Sequence, residues 1–162
     1  MIDVPVWEDG DWAPLAALDS EIEVDVCVVG LGGSGLSAVQ HLLQSGQRVA
    51  GIDAGMIGGG AAGRNGGFLL AGLPEFYHDA VERFGRERAR AIYLKTITEL
   101  DRMTAETPSA IRRVGSLRIA DDDAELIDCE VQLGVMQRDG LPVERYEGPE
   151  GRGIMIPTDG AF

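Results

Sequence analysis

The chain is 162 residues long and 44% hydrophobic, enough for one sizeable core, so a single domain is the expectation. Its 27 Asp and Glu against 14 Lys and Arg give a formal charge of −13, which excludes nucleic acid and anionic lipid as main partners. No run of about eighteen apolar residues and no basic stretch ahead of a hydrophobic one occurs, so a soluble cytoplasmic protein with no membrane contact is the default. Two cysteines, Cys27 and Cys129, share neither a CxxC spacing nor a disulfide framework, and Cys27, within an apolar run, is expected to be a small buried side chain.

In chain order, residues 1–23 carry Asp3, Glu8, Asp9, Asp11, Asp19, Glu21 and Glu23 and no basic residue, which reads as an extended arm rather than an element. Trp7 and Trp12 are a large apolar payload to leave in water, so the arm is expected to dock through those rings. From Ile22 the alternation tightens into the run Val26-Cys27-Val28-Val29, as expected of a strand in a sheet covered on both faces.

Gly30, Gly32 and Gly35 follow at once in G-x-G-x-x-G spacing. The first permits the tight turn, the second lets backbone approach a pyrophosphate, and the third allows helix and strand to pack closely. A helix over about Gly33–Gln44 would aim its free N–H groups and positive dipole end at phosphates, so Gly33 and the backbone around it need no basic side chain. Ser34 is a candidate hydroxyl donor to phosphate or a local cap. Leu36, Val39, Leu42 and Leu43 should face the sheet, with Gly46 as C-terminal cap. His41 lies on this helix with no acid or cysteine at ligand spacing and reads as a partly exposed structural histidine.

Residues 48–52 form a second strand, and Asp53 falls eighteen residues after Gly35, where an acid accepts hydrogen bonds from the adenosine ribose. Ala54 follows it, and no arginine comes close behind to receive a 2′-phosphate, which argues against NADP. Strand, turn, helix, strand and acid in register make a dinucleotide site better supported than a glycine turn kept for packing alone.

In residues 55–67, GMIGGGAAGRNGG, seven of thirteen positions are glycine. A flexible linker would be rich in Ser and lack a central Arg-Asn pair, so a ligand-facing loop is the better reading. Arg64 can offer a forked cation to phosphate, Asn65 tolerates a left-handed backbone, and Gly66 and Gly67 let N–H groups approach an anion or flavin edge.

Beyond the loop, residues 73–84 read as a short helix with Pro74 in its first turn and Phe76, Ala80, Val81 and Phe84 on one side; Tyr77 and His78 there read as packing and surface. A longer helix over about Arg86–Glu106 has Ala89, Ile92, Tyr93, Ile97, Leu100 and Met103 at core spacing, with Arg86, Arg88 and Arg90 on a solvated face paired with Glu82, Glu87 or Glu99. A strand at residues 114–120 follows. Asp121, Asp122 and Asp123 then suit a helix start, with the helix running over residues 124–137, better than a metal loop, so no metal is expected. Residues 141–146 and 153–156 are short strand candidates around a Gly and Pro turn.

The fingerprint, Asp53, and the Gly60-Ala61-Ala62-Gly63-Arg64-Asn65-Gly66-Gly67 loop together resemble the D-amino-acid oxidase superfamily of FAD-dependent oxidoreductases, in particular the branch of glycine oxidase, sarcosine oxidase and gamma-glutamylputrescine oxidoreductase. In that branch the loop usually reads G-A-S-G-R-N-G-G and the ribose acid is usually Glu; Ala62 and Asp53 depart from this. The likeness runs through the Trp-containing arm and the Gly115-Ser116-Leu117-Arg118 strand, and covers only the N-terminal part of the family's length.

The resemblance implies FAD as cofactor and oxidation of a C–N bond of an amino acid or amine by hydride transfer to the flavin. The fold class is α/β: a Rossmann-like βαβ unit binding FAD, with additional helices and short strands and an incomplete sheet. The expected division is an arm at 1–23, the βαβ unit and Gly-rich loop at 24–72, and helices with the first substrate-domain strands at 73–162. The later strands are too few for a doubly wound sheet, so a fragment, a truncated frame or one half of a split enzyme completed by a second chain is expected. Catalytic residues are expected beyond Phe162. A non-enzymatic nucleotide- or partner-binding module and an NAD-dependent dehydrogenase fragment are the alternatives.

Overall fold

The computed structural model describes residues 15–161, which fall into two compact units that divide after Gly66. Trp7 and Trp12, and with them the expected docking of the arm, lie outside the described residues.

The first unit is a βαβ element. Strand β1 (Val26–Val29) pairs in parallel with β2 (Val49–Ile52), Val26 opposite Val49 and Val29 opposite Ile52, and helix α1 (Gly33–Gln44) makes the crossover. Asp25 fixes the register at the start of both strands. Its carboxylate accepts the Arg48 backbone N–H at 2.9 Å and the Arg48 guanidinium at 2.9 Å. At the other end the Gly30 N–H donates to Ile52 O at 2.8 Å, carrying the ladder into the glycine turn. Helix α1 stops where Gly46 takes a φ of 81°, a left-handed conformation that a side chain resists.

Helix α1 covers one face of this sheet. A Cβ at Gly51 would lie 2.8 Å from the Leu31 side chain and 3.3 Å from Val39, so glycine there lets the helix settle. Val39 and Leu42 are half-buried, but Leu36 and Leu43 are exposed, contrary to expectation. Helical period puts those two on the same flank, and a two-stranded sheet about 5 Å between strands is too narrow to reach both flanks of a helix. The expectation of a sheet covered on both faces fails for the same reason. Alternation turns Cys27 and Val29 away from α1, and Cys27 is exposed rather than buried, with Val29 at 78%.

The second unit is built on a three-stranded antiparallel sheet in the order β4-β6-β5, from β4 (Ser116–Ile119), β5 (Glu144–Gly148) and β6 (Gly151–Ile156). Strands β5 and β6 form a hairpin closed by Gly148 opposite Gly151 around Pro149 and Glu150. A Cβ at Gly153 would stand 1.9 Å from Arg118 O, so glycine is what lets β6 lie against β4. Helices α2 (Tyr77–Phe84), α3 (Arg86–Glu106) and α4 (Asp123–Arg138) complete the unit, and its core gathers Tyr77, Ala89, Tyr93, Cys129, Met136 and Ile154 from helices and sheet. A two-stranded ribbon, β3 (Phe68–Leu69) with β7 (Gly160–Ala161), adds to the unit; two residues are too few for a strand period to be read in sequence.

Two elements differ from their expected form. Helix α2 starts at Tyr77, not 73, because Phe76 is extended (ψ 146°) and the Tyr77 N–H is taken by the Gln132 side chain of α4 at 2.9 Å. Arg86 and Arg90 pair with the end of α4 instead of Glu82, Glu87 or Glu99: Arg86 Nε donates to Asp139 Oδ1, and Arg90 Nε to Asp139 O at 2.8 Å. By contrast, the aspartate run caps α4 as expected. Asp122 Oδ1 accepts the Glu125 N–H at 2.8 Å, and Glu125 Oε2 reaches back to accept the Asp121 N–H at 3.1 Å, one residue before the cap.

Candidate functional site

The glycine turn between β1 and α1 is closed by contact rather than by flexibility. Gly30 has φ 90°, and a Cβ on Gly35 would sit 1.9 Å from Gly30 O, so only glycine lets the first helical turn lie over the strand end. The cap position falls on Gly32, not on Ser34, and no side chain caps this end of the helix. Because the first helical hydrogen bond runs from Leu36 N–H to Gly32 O at 2.9 Å, the N–H groups of Gly33, Ser34 and Gly35 point out of the helix end. Open space surrounds the Cα of Gly30 and of Gly33.

Leu31 ties three segments together. Its N–H donates to Asp53 Oδ2 at 2.6 Å, and its carbonyl accepts the Gly58 N–H at 3.0 Å, while its own side chain is buried at 5% exposure. Thus one residue joins the glycine turn to the end of β2 and to the Gly-rich loop. Sequence reading passed over Leu31, an x in the G-x-G-x-x-G pattern; a large apolar residue between two turn glycines was the one signal that it had a place to fill.

Asp53 Oδ1 also accepts the Gly55 N–H at 2.9 Å. The Leu31 N–H first, then that of Gly55, hold the Asp53 carboxyl below the usual carboxylate range, and the carboxylate remains exposed beside Ala54. Each oxygen keeps a lone pair for a further donor. A carboxyl with a depressed folded-state pKa adds stability above its unfolded pKa of about 4 and loses it as pH falls through the folded value. Asp25, lowered by the Arg48 side chain and then by its backbone N–H, acts in the same direction in the same unit. Hydrogen exchange of the Leu31 amide should therefore accelerate as pH is lowered from about 4, beyond the intrinsic pH trend, and in step with loss of the β1–β2 pairing.

The Gly-rich loop folds back on the turn: Ala61–Gly63 forms one 3-10 turn, and a Cβ on Gly32 would come within 3.9 Å of Ala62 Cβ. Arg64 follows that turn, exposed, its N–H donating to Ala61 O at 3.3 Å. Asn65 does not use a left-handed backbone, since among the described residues every positive φ belongs to glycine. Its side chain instead donates to Ala62 O at 2.5 Å and closes the turn. Gly66 ends the first unit and Gly67, with φ 70°, opens the second.

The first unit thus assembles an uncapped helix end, an open glycine turn, an exposed acid at a strand end and a glycine loop. Those features suit the pyrophosphate and ribose of a dinucleotide. The family described as DAO, FAD dependent oxidoreductase, matches residues 25–160. The chain belongs to the FAD dependent oxidoreductase family.

Among curated members, it is 40% identical over 81 residues to gamma-glutamylputrescine oxidoreductase of Escherichia coli K12, and 30% identical over 94 residues to the probable oxidoreductase OrdL of Haemophilus influenzae. These alignments cover 50% and 58% of this chain but 19% and 21% of the relatives, so the chain matches about a fifth of their length. In fold it is similar to L-amino acid deaminase from Proteus vulgaris, with TM-score 0.65 at 16% identity over 93% of this chain and 37% of the other. Glycine oxidase from Geobacillus kaustophilus gives 0.60 at 23% identity over 85% and 40%. Membership in the FAD dependent oxidoreductase family decides between the FAD and NAD readings that the glycine fingerprint alone leaves open. Among the described residues no helix is long and apolar enough to cross a membrane, and no group of His, Cys, Asp and Glu could hold a metal ion.

Proposed function

We propose that this chain is the FAD-binding part of an oxidoreductase that oxidises the C–N bond of an amino acid or amine. Bound FAD supplies the hydride acceptor for that oxidation. The chain's own contribution is grip: Gly30, Gly32, Gly33, Ser34 and Gly35 receive the pyrophosphate on backbone N–H groups, Asp53 beside Ala54 receives the ribose hydroxyls, and Arg64, Asn65, Gly66 and Gly67 close on the phosphate and flavin side. No residue of this chain is assigned a chemical step. A second chain supplying the rest of the fold, and a cytoplasmic setting in keeping with two free cysteines, belong to the same reading.

The observation that carries it is the Leu31 node, which brings turn, acid and loop to one place. Purified protein is expected to be yellow, or to become so with added FAD. Asp53→Ala should weaken FAD binding by roughly 1–3 kcal/mol, as for a lost charged hydrogen bond. A colourless protein that FAD cannot reconstitute overturns the reading, and unchanged affinity in Asp53→Ala removes the ribose role.

A further inference from the structure

The second unit contains a cavity of about 690 Å³ between its helices and its sheet. Its walls are mainly apolar, with Leu70, Ile92 and Ile156 among them, and two carboxylates line it: Glu75, paired with Arg83 at 3.3 Å, and Asp159, at 2% exposure. That carboxylate is held from two sides, by the Ala71 N–H on Oδ1 at 2.9 Å and the Ser116 hydroxyl on Oδ2 at 2.6 Å. Both donors are neutral. Arg113, the cation whose field reaches it, is engaged by Asp101 at 2.9 Å, and no basic nitrogen among the described residues forms an ion pair with Asp159.

Other polar groups lining the cavity are already matched. Tyr77 gives its hydroxyl to Asp139 at 2.6 Å, and the Gln132 carbonyl takes the Tyr77 N–H. Arg118 lies over the Phe76 ring, 4.0 Å from its centroid. The Tyr93 ring is fixed beneath Gly72, where a Cβ would lie 2.4 Å from it, and its hydroxyl has no protein partner among the described residues. Arg118 is thus a lining cation engaged elsewhere, over Phe76 and on Pro74 O, and what the buried Asp159 carboxylate, with its spare lone pairs, the Tyr93 hydroxyl and the ring face still lack is a cation in direct contact.

We propose that this cavity binds a primary ammonium group on an aliphatic stem, the ammonium on Asp159 and the Tyr93 hydroxyl and the stem along Leu70, Ile92 and Ile156. An ammonium brings three donors and the missing charge, while the stem meets apolar walls. This deepens the amine reading of the function and rests on it for the class of ligand, but binding here needs no FAD.

The test is an amide-shift titration of the full ¹⁵N-labelled chain with n-butylammonium, 1-butanol and butyrate. Saturable shifts at Ala71, Gly72 and Ser116 are expected with butylammonium, at least about tenfold tighter than with butanol, and none with butyrate. In Asp159→Asn, which keeps the shape and removes the charge, that preference should vanish. Equal binding of butanol and butylammonium, shifts confined to other residues, no saturable binding, or a preference retained in Asp159→Asn each overturns the proposal. If the variant does not fold, the three-ligand comparison on the unsubstituted chain decides. Flavin absorbance of the same sample reports the FAD reading separately, so a yellow protein with no amine preference sinks this inference alone.

Discussion

Gly35→Ala is expected to abolish FAD binding and to lower the melting temperature. A Cβ there would stand 1.9 Å from Gly30 O and 3.0 Å from Gly30 C, both backbone atoms that no side-chain rotation can clear. Relief requires the helix to back away from the strand end, which moves the N–H groups of Gly33 and Ser34 off any phosphate and pulls at the Leu31–Asp53 bond. The stability cost should be about 1–3 kcal/mol or more, as for overpacking elsewhere. Gly33→Ala is the matched control, because nothing lies within 4 Å of a Cβ at that position. It should fold as the unsubstituted chain does. Thermal unfolding and flavin absorbance of the two variants read the contrast, and equal behaviour would show that the turn is not closed by this contact.

Asp139→Ala should destabilise the second unit by roughly 2–4 kcal/mol. Asp139 closes α4 with its side chain 1% exposed, accepting the Tyr77 hydroxyl on Oδ2 at 2.6 Å and Arg86 Nε on Oδ1, while its carbonyl takes Arg90. Burial first, then the Asp139 carboxylate, push the Tyr77 hydroxyl well above the ordinary phenol range, so it stays a donor. Alanine removes a charge-assisted acceptor and leaves that buried hydroxyl without a partner, and the two losses add. Tyr77→Phe removes the donor as well as its need and should cost only about 1 kcal/mol. Chemical denaturation of the two variants gives the comparison. If Asp139→Ala costs no more than Tyr77→Phe, Asp139 is not the hub that joins α2, α3 and α4.

Both positions show how far local sequence reaches. Gly35 was legible because the contact that demands glycine lies five residues away, inside the same turn, so spacing carries it. The ends of α1 and α3, the aspartate cap of α4 and the Gly-Pro hairpin were legible for the same reason. Asp139 was not, since its partners at 77, 86 and 90 come from other elements and nothing near 139 announces them. The start of α2 and the partners of Arg86 and Arg90 went astray together, because Gln132 and Asp139 at the other end of the unit's sequence supplied the hydrogen bonds that set them.

By itself, then, the sequence determined the βαβ order, the glycine turn, the acid at Asp53 and the Gly-rich loop, all features set by backbone sterics and short-range spacing. Tertiary structure decided what faces what. It exposed Cys27, Val29, Leu36 and Leu43, because a two-stranded sheet presents too little surface to bury them. Long-range contact also made Leu31 the joint between acid and loop, 22 residues from Asp53, and set Asp159 against Ala71 from 88 residues away. Burial and pairing across such separations are properties of the packed chain, and no local pattern of residues encodes them.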